Sequence, residues 1–145
     1  MDDPFDLQRF LLAQRGAYAG AIQELRRGAK QSHWIWFIFP QEAGLGSSVM
    51  ASRYAIQSRA EAVAYLAHPV LGVRLVECAQ ALLKVEGRSA EKIMGEPDHL
   101  KLHSSMTLFA AISAPGSAFH AVLDRFYDGE VDSRTLDYLH RSQSP

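Results

Sequence analysis

Apolar side chains recur at helical spacing through most of the chain, and capping residues divide the pattern into separate helices. The Asp3-Pro4 pair begins a first helix, and paired arginines before Gly28 end a second. A capping box at Ser58 opens another helix, and the apolar stripe over residues 69–84 is typical of a core helix. Further helices are predicted over residues 89–95, 97–113, 119–129 and 132–139. The pattern therefore predicts a mainly α fold.

One segment interrupts this helical rhythm. Residues 34–39 are six aromatic or β-branched side chains in succession, and Pro40 ends the run. Such a run favours a short extended segment near residues 33–40, buried on both sides. In an extended chain Trp34 and Trp36 share one side. Either indole could belong to the core or stack on a planar ligand, and each needs a partner for its N–H if buried.

Composition excludes several classes of protein. The 145 residues are 48% apolar with a formal net charge of -1, which indicates one globular domain over residues 1–145 rather than a disordered chain. The near-neutral charge gives no reason to expect nucleic acid or a membrane as partner. Cys78, the only cysteine, lies in the predicted core stripe, so we expect it to be a small buried side chain. We expect a cytoplasmic protein, and the oligomeric state is not predicted.

Two short motifs have spacings that are partly similar to those of metal and phosphate sites. His99 and His103 lie four residues apart on a predicted helix, but the metal-protease glutamate is absent and no second thiol exists. The sequence therefore predicts neither a metal nor another cofactor. The glycine-rich run over residues 44–48 is not a phosphate loop, because it lacks the lysine. It remains open whether this run is an anion-binding nest or a plain capped turn.

Polar residues intrude on the apolar face of the helix that follows Pro97. Asp98, Lys101 and Ser105 fall on the same face as Leu102 and Leu108. One interpretation is an ordinary ion pair between Asp98 and Lys101 at a half-exposed helix start. The other is a polar pocket lined by a carboxylate, an ammonium group and a hydroxyl.

Two further charged residues have both a structural and a functional interpretation. Glu61 is the third helical residue of the capping box at Ser58, a role that does not exclude catalysis. Arg53 is one of few cations near the aromatic run. Its guanidinium could meet a phosphate or pair with Glu61.

Several long strings resemble the family called domain of unknown function 1810. They are WIWFIFPQ from Trp34 to Gln41, the GLGSS run at residues 44–48, YLAHP at residues 65–69, and DHLKL with SSMTLF at residues 98–102 and 104–109. The resemblance covers nearly the whole chain. It implies a mostly helical fold and brings no established activity.

The order of elements also resembles the NADAR superfamily, whose members include an enzyme that cleaves the N-glycosidic bond of riboflavin-pathway intermediates. Under this resemblance Ser47 matches the loop serine and Glu61 the glutamate that opens a helix. Lys101, Met106 and Phe109 match part of the later helix. The chain departs from the pattern where Ser48 and Val49 replace Asn-Phe, Ala62 replaces a histidine, and Leu108 replaces a lysine.

These observations lead to one functional hypothesis and one rival. The hypothesis is a small-molecule enzyme or binding protein for a ribosylated, phosphorylated base or an ADP-ribose-type ligand, with N-glycoside hydrolysis as its reaction. Glu61 or Asp98 would be the catalytic carboxylate, and Trp34 or Trp36 would stack on the base. The other predicted ligand-binding residues are Gln41, Gly46, Ser47, Arg53, Lys101 and Ser105. The rival is a non-catalytic protein-interaction module whose aromatic run is simply core.

Overall fold

Helices account for nearly all of the regular structure. The computed structural model describes residues 2–46 and 48–142, and for Ser142 the backbone only. In this part of the chain a parallel bridge between Glu42 and Ile56 is the one strand-like pairing. The fold is therefore mainly α, as predicted. The helices of the described residues are α1 (Gln8–Arg15), α2 (Tyr18–Arg27), α3 (Ile35–Ile38), α4 (Val49–Arg53), α5 (Arg59–Ala67), α6 (Leu71–Leu83), α7 (Ala90–Met94), α8 (Asp98–Ala111), α9 (Ala118–Tyr127) and α10 (Ser133–Ser142).

Capping side chains set the helix ends at the predicted places. The Ser58 side chain accepts a hydrogen bond from the backbone N–H of Glu61, which opens α5. Ser89 does the same for the N–H of Lys92 at α7. Gly28 ends α2 in the left-handed conformation, with φ of 71°. Local hydrogen bonds therefore set these three helix ends, whereas α2, α6 and α8 begin without a bond from an N-cap side chain.

The aromatic run is helical, so the prediction of an extended segment at residues 33–40 was wrong. The N–H of Ile38 bonds to the carbonyl of Trp34, and that of Phe39 to Ile35. A strand needs a neighbouring strand to satisfy its backbone, whereas one helical turn satisfies it locally. Burial on several sides outweighs the β-propensity of these side chains. Consequently Trp34 and Trp36 point in different directions rather than sharing a side.

The core lies around α6 and α8. Helix α9 packs against both of them, α2 and α5 pack on α6, and α7 and α10 pack on α8. Leu71, Leu75 and Leu82 of α6 are buried, as the apolar stripe predicted. Cys78 is buried beside them, and burial raises the pKa of its thiol to about 12. This thiol is a core side chain, as predicted, and stays protonated at neutral pH.

Helices α5 and α6 are joined by a sharp bend of 85°. A Cβ at Gly72 would lie 1.9 Å from the carbonyl oxygen of Leu66, so only glycine fits at this contact. None of the described helices is by itself long and apolar enough to cross a membrane. Helices α5 and α6 reach the required length and hydropathy only when they are counted together across their bend.

Candidate functional site

A cavity of about 110 Å³ lies between the aromatic turn α3 and the loops on either side of α4. Such a volume is well above the roughly 10–15 Å³ that one water molecule needs. The residues lining it are Trp36, Gln41, Glu42, Ala43, Gly44, Gly46, Ala51, Ser52, Tyr54, Ala55 and Gln57. We call it the Trp36 cavity. It brings together three of the predicted ligand-binding residues, Trp36, Gln41 and Gly46.

Backbone pairing fixes the walls of the Trp36 cavity. The N–H of Ile56 donates to the carbonyl of Gln41, and the N–H of Ala43 donates to the carbonyl of Ile56. These two bonds hold the segment after α3 against the segment after α4. A Cβ at Gly46 would lie 2.6 Å from the Cβ of Ala51, so the loop approaches α4 too closely for a side chain. Gly46 therefore shapes the cavity through its backbone.

Among the described residues, Glu42 is the only acidic one that lines the Trp36 cavity, and the sequence analysis did not single it out. Its side chain is buried, with 3% of the residue exposed. Burial raises the pKa of Glu42 to about 7, and the negative charge of Asp132 acts in the same direction. The Thr135 hydroxyl and the Arg134 guanidinium act against this rise. A carboxyl group with such a pKa exchanges a proton readily at neutral pH.

Glu42 shares a hydrogen-bonding hydroxyl with a second carboxylate. The Thr135 Oγ1 lies 3.1 Å from Glu42 Oε2 and 2.8 Å from Asp132 Oδ2. A hydroxyl has one proton, so it donates to only one of these oxygens at a time. When Thr135 donates to Asp132, a protonated Glu42 can donate to the Thr135 oxygen. The geometry therefore accommodates both protonation states of Glu42.

Trp36 has an unsatisfied polar group at the same cavity. Its indole Nε1 is buried and has no hydrogen-bond partner among the described residues. Its ring lies 5.3 Å from the Nζ of Lys101, a distance typical of a cation–π contact. Buried polar groups in proteins are nearly always hydrogen-bonded, so this N–H is an exception beside the cavity.

Trp34, the other predicted stacking residue, belongs to the core. It is 2% exposed, and its Nε1 donates to Glu24 Oε1 at 3.0 Å. Glu24 also accepts from the backbone N–H groups of Gln31 and Ser32 and from the Ser32 hydroxyl. Burial opposes the charge of Glu24, but these hydrogen bonds together lower its pKa to about 2. This indole therefore anchors the chain before α3 and has no free face.

Asp98 lies in a cluster of charges at the start of α8. Its two carboxylate oxygens meet the Nζ of Lys30 at 2.7 Å and that of Lys101 at 3.4 Å. The Asp98–Lys101 pair is the ordinary i,i+3 ion pair that one interpretation predicted. Lys30 Nζ also lies 4.9 Å from the Trp34 ring. Lys101 of α8 thus lies near the Trp36 ring and Lys30 near the Trp34 ring, but Asp98 does not line the Trp36 cavity.

Glu61 is buried in an ion pair with Arg9. Its Oε2 lies 2.7 Å from Arg9 Nη2, and only 2% of the Glu61 side chain is exposed. Its Oε1 accepts from the backbone N–H of Gln57 at 2.9 Å. Both oxygens are therefore engaged within the protein. The expected alternative partner, Arg53, is not the one that Glu61 contacts.

Arg53 and Ser105, two other predicted ligand-binding residues, do not line the cavity. Arg53 is exposed, with its guanidinium 5.9 Å from the Tyr54 ring. Ser105 is fully buried, and its Oγ has no hydrogen-bond partner among the described residues. Ser47 lies outside the described residues. Ser48 caps α4 by accepting from the N–H of Ala51, which supports the capped-turn interpretation of this loop.

His99 and His103, which are spaced like a metal-binding pair, have separate hydrogen-bond partners. His99 Nε2 lies 2.8 Å from Glu96 Oε2, and His103 Nε2 lies 2.8 Å from the carbonyl oxygen of Glu130. The group able to offer three ligand atoms is instead Glu91, Glu96 and His99, whose atoms lie within 4.8 Å of one another. Both glutamates are exposed, and exposed acidic groups are common in proteins that bind no metal.

Comparisons with known proteins agree with the fold and identify the family. The chain matches the family described as "Protein of unknown function (DUF1810)" over residues 4–139. Its structure is similar to the crystal structure of the conserved hypothetical protein Rv1873 from Mycobacterium tuberculosis, with 52% sequence identity and a TM-score of 0.93. The similarity covers 95% of this chain and 99% of that chain. A search of curated proteins gives no match. The chain belongs to the DUF1810 family.

Proposed function

We propose that the protein is a hydrolase of N-ribosides and that its active site is the Trp36 cavity. The observation that carries this proposal is the buried Glu42 carboxyl group, whose pKa is raised to about 7, on the wall of a cavity that Trp36 also lines. Perturbed carboxyl groups in clefts are typical of acid–base sites. The distant resemblance to the NADAR superfamily supports the same reaction class.

The cavity walls suit a flat, polar ring. The indole of Trp36 and the phenol ring of Tyr54 offer aromatic surface, and the side chains of Gln41 and Gln57 offer amide donors and acceptors. The Trp36 N–H would gain its missing acceptor from a ring nitrogen or a carbonyl oxygen. A purine, pyrimidine or related base has both the flat faces and the polar edge that these groups recognise.

Glu42 would move the proton in the reaction. In its ionised form it accepts a proton from water while the water oxygen bonds to C1′ of the ribose. The bond between C1′ and the base nitrogen breaks, and its electron pair leaves with the base. Glu42, now protonated, returns the proton to that nitrogen. The products are free ribose or its phosphate and the free base, and the enzyme regains its starting state.

Glu42 thereby replaces Glu61 and Asp98 in the catalytic role. Glu61 is held by Arg9, and Asp98 by two lysines, so neither carboxylate has an oxygen free of a protein partner. An ionised carboxylate beside C1′ also stabilises the positive charge that develops on the sugar. The cytoplasmic location expected from the sequence stays a prediction.

The Asp132 charge should contribute to the raised pKa of Glu42. Asp132→Asn is expected to lower the pKa of Glu42 below 7 while leaving it above its ordinary value of 4.5, because burial is the larger cause. The measurement is a ¹³C NMR titration of the Glu42 carboxyl carbon. Asp128→Asn, a change of an exposed carboxylate at the end of α9 that does not line the cavity, is the matched control and should leave the titration unchanged. Identical titrations in all three proteins would exclude a role for Asp132.

An assay of base release tests the proposed reaction. Nucleosides, nucleoside 5′-monophosphates and NAD are incubated with the protein, and free base is measured by chromatography. We expect release from at least one of them, and Glu42→Gln should reduce the rate by about 100-fold, because general acid–base groups contribute roughly 10²–10⁴-fold. Asp98→Asn should keep the activity. Equal rates for Glu42→Gln and the unaltered protein would contradict the assignment.

A further inference from the structure

A second concavity adjoins the Trp36 cavity on the side of α10. Its volume is about 400 Å³, and α10 supplies Arg134, Asp137, Tyr138 and Arg141 to its wall. The opposite wall is the loop from Glu42 to Leu45. We call it the Arg134 hollow. Glu42, Ala43 and Gly44 line both spaces, so the acid–base group of the proposed function stands at their common wall.

Within the described residues, the two arginines of the Arg134 hollow make no close contact with a carboxylate, although the charge of Arg134 lowers the pKa of Glu42. Neither makes an ion pair or a hydrogen bond there, although Asp137 lies between them on the same helix. Both side chains are exposed. Arginines at i and i+7 lie on one face of a helix, about 10 Å apart along its axis. Two guanidinium groups that flank one concavity are thus available to an external anion.

Helix α10 is held firmly enough to present these arginines. The Tyr138 hydroxyl donates to the carbonyl of Gln57 at 2.6 Å, and Gln57 lines the Trp36 cavity. One turn earlier, Thr135 is fully buried in its contacts with Glu42 and Asp132. These bonds fix α10 relative to both spaces. The helix positions from which the two arginines project are therefore fixed relative to Glu42.

We propose that Arg134 and Arg141 form a phosphate-binding subsite, so that the substrate is a ribosylated base whose ribose carries a phosphate or diphosphate group. Guanidinium groups bind phosphate oxygens through paired hydrogen bonds, which makes arginine well suited to this group. The base would occupy the Trp36 cavity, the ribose would pass Glu42, and the phosphate would reach the Arg134 hollow. This inference rests on the proposed function for the rest of the substrate.

The charge of the hollow depends on Glu42. The charged groups around Glu42 are Asp132, Arg134 and Asp137, together with Arg141 farther along α10. When Glu42 is protonated, one negative charge at the common wall is removed. Anion binding should therefore be stronger at pH 6 than at pH 8. Sulfate is the suitable probe for this comparison, because its charge does not change over that range.

Calorimetric titration with inorganic pyrophosphate tests the subsite without any turnover. The unaltered protein is compared with the Arg134→Gln/Arg141→Gln double variant and with Arg27→Gln, an exposed arginine of α2 outside the hollow. We expect the double variant to bind pyrophosphate at least tenfold more weakly and Arg27→Gln to bind normally. Circular dichroism confirms that both variants are folded.

The outcomes separate the subsite from the proposed reaction. Equal pyrophosphate affinity in the unaltered protein and the double variant, or no binding to either, overturns the subsite whatever the base-release assay shows. Arginine-dependent binding without release of base from any riboside supports the subsite and rejects the proposed function. A third outcome would overturn the assignment of the phosphate to this hollow. In it, base is released from nucleosides and from their 5′-monophosphates at equal kcat/KM, and the double variant has the same kcat/KM values.

Discussion

Replacing Arg9 with methionine is expected to lower the free energy of unfolding by about 3 to 5 kcal/mol. The change removes the cation that neutralises the buried Glu61 carboxylate at 2.7 Å. An uncompensated buried charge destabilises a protein by roughly this amount. Arg9 also donates to the carbonyl oxygens of Phe5, Asp6, Arg53 and Ala55, all of which would lose a donor.

Urea denaturation followed by circular dichroism measures this loss. Arg53→Met is the matched control, because Arg53 is exposed and its side chain makes only a long contact with the Tyr54 ring. It should change the free energy of unfolding by less than about 0.5 kcal/mol. The Arg9→Met/Glu61→Met double variant should recover part of the stability, because no buried carboxylate is left unpaired. A loss below about 1 kcal/mol for Arg9→Met would place this pair among ordinary surface ion pairs.

The contacts of the Arg9 side chain also support one wall of the candidate site. Its carbonyl partner Ala55 lines the Trp36 cavity, as does the neighbouring residue Tyr54. The ion pair with Glu61 therefore connects α1 and α5 to one wall of the site. The sequence predicted that Glu61 is catalytic. Under the proposed function it is instead a structural residue behind the cavity.

Glu42→Gln is expected to remove a pH dependence of about 2 to 3 kcal/mol from the free energy of unfolding between pH 5 and pH 8. The pKa of Glu42 is about 7 in the folded protein against an ordinary 4.5. Between these values the folded state binds more protons than the unfolded state, so stability falls as pH rises. A shift of one pKa unit corresponds to about 1.36 kcal/mol. The glutamine side chain has no charge to bury, so it avoids this loss at pH 8.

At each pH, the free energy of unfolding of the unaltered protein is subtracted from that of Glu42→Gln. Histidines titrate over the same interval, and subtraction removes their contribution because they are present in both proteins. The variant should gain stability relative to the unaltered protein as the pH is raised from 5 to 8. A difference that stays constant with pH would show that Glu42 has an ordinary pKa and would remove the main support for its catalytic role.

Much of the fold could be predicted because helix ends are encoded locally. Ser58, Ser89 and Gly28 each cap a helix through contacts with residues close in the sequence. The aromatic run at residues 34–39 was mispredicted because its conformation depends on distant partners. Gln14 of α1, for example, donates to the carbonyl of Phe37 at 2.7 Å, and no spacing rule announces that contact.

The candidate site could be predicted only in part. The aromatic run and the glycine loop led to Trp36, Gln41 and Gly46, which do line one cavity. Glu42 was missed, although it is the one acidic residue between the aromatic run and the helix suggested after Ser48, which was a signal in the sequence. Its pKa is raised by burial and by the charge of Asp132, and its hydrogen-bond partner Thr135 lies 93 residues away along the chain. Only the folded chain places these groups together.

The central claim, that the Trp36 cavity binds a ribosylated base, is tested most directly by ¹⁵N–¹H NMR of the two indole N–H groups during titration with adenosine 5′-monophosphate. The Trp34 N–H is bonded to Glu24 in the core and serves as an internal reference, whereas the Trp36 N–H has no partner among the described residues. The Trp36→Phe variant assigns the two resonances. We predict a saturable shift of the Trp36 resonance with the Trp34 resonance unmoved. A Trp36 resonance that does not move at any ligand concentration, or that moves no more than that of Trp34, would contradict the claim.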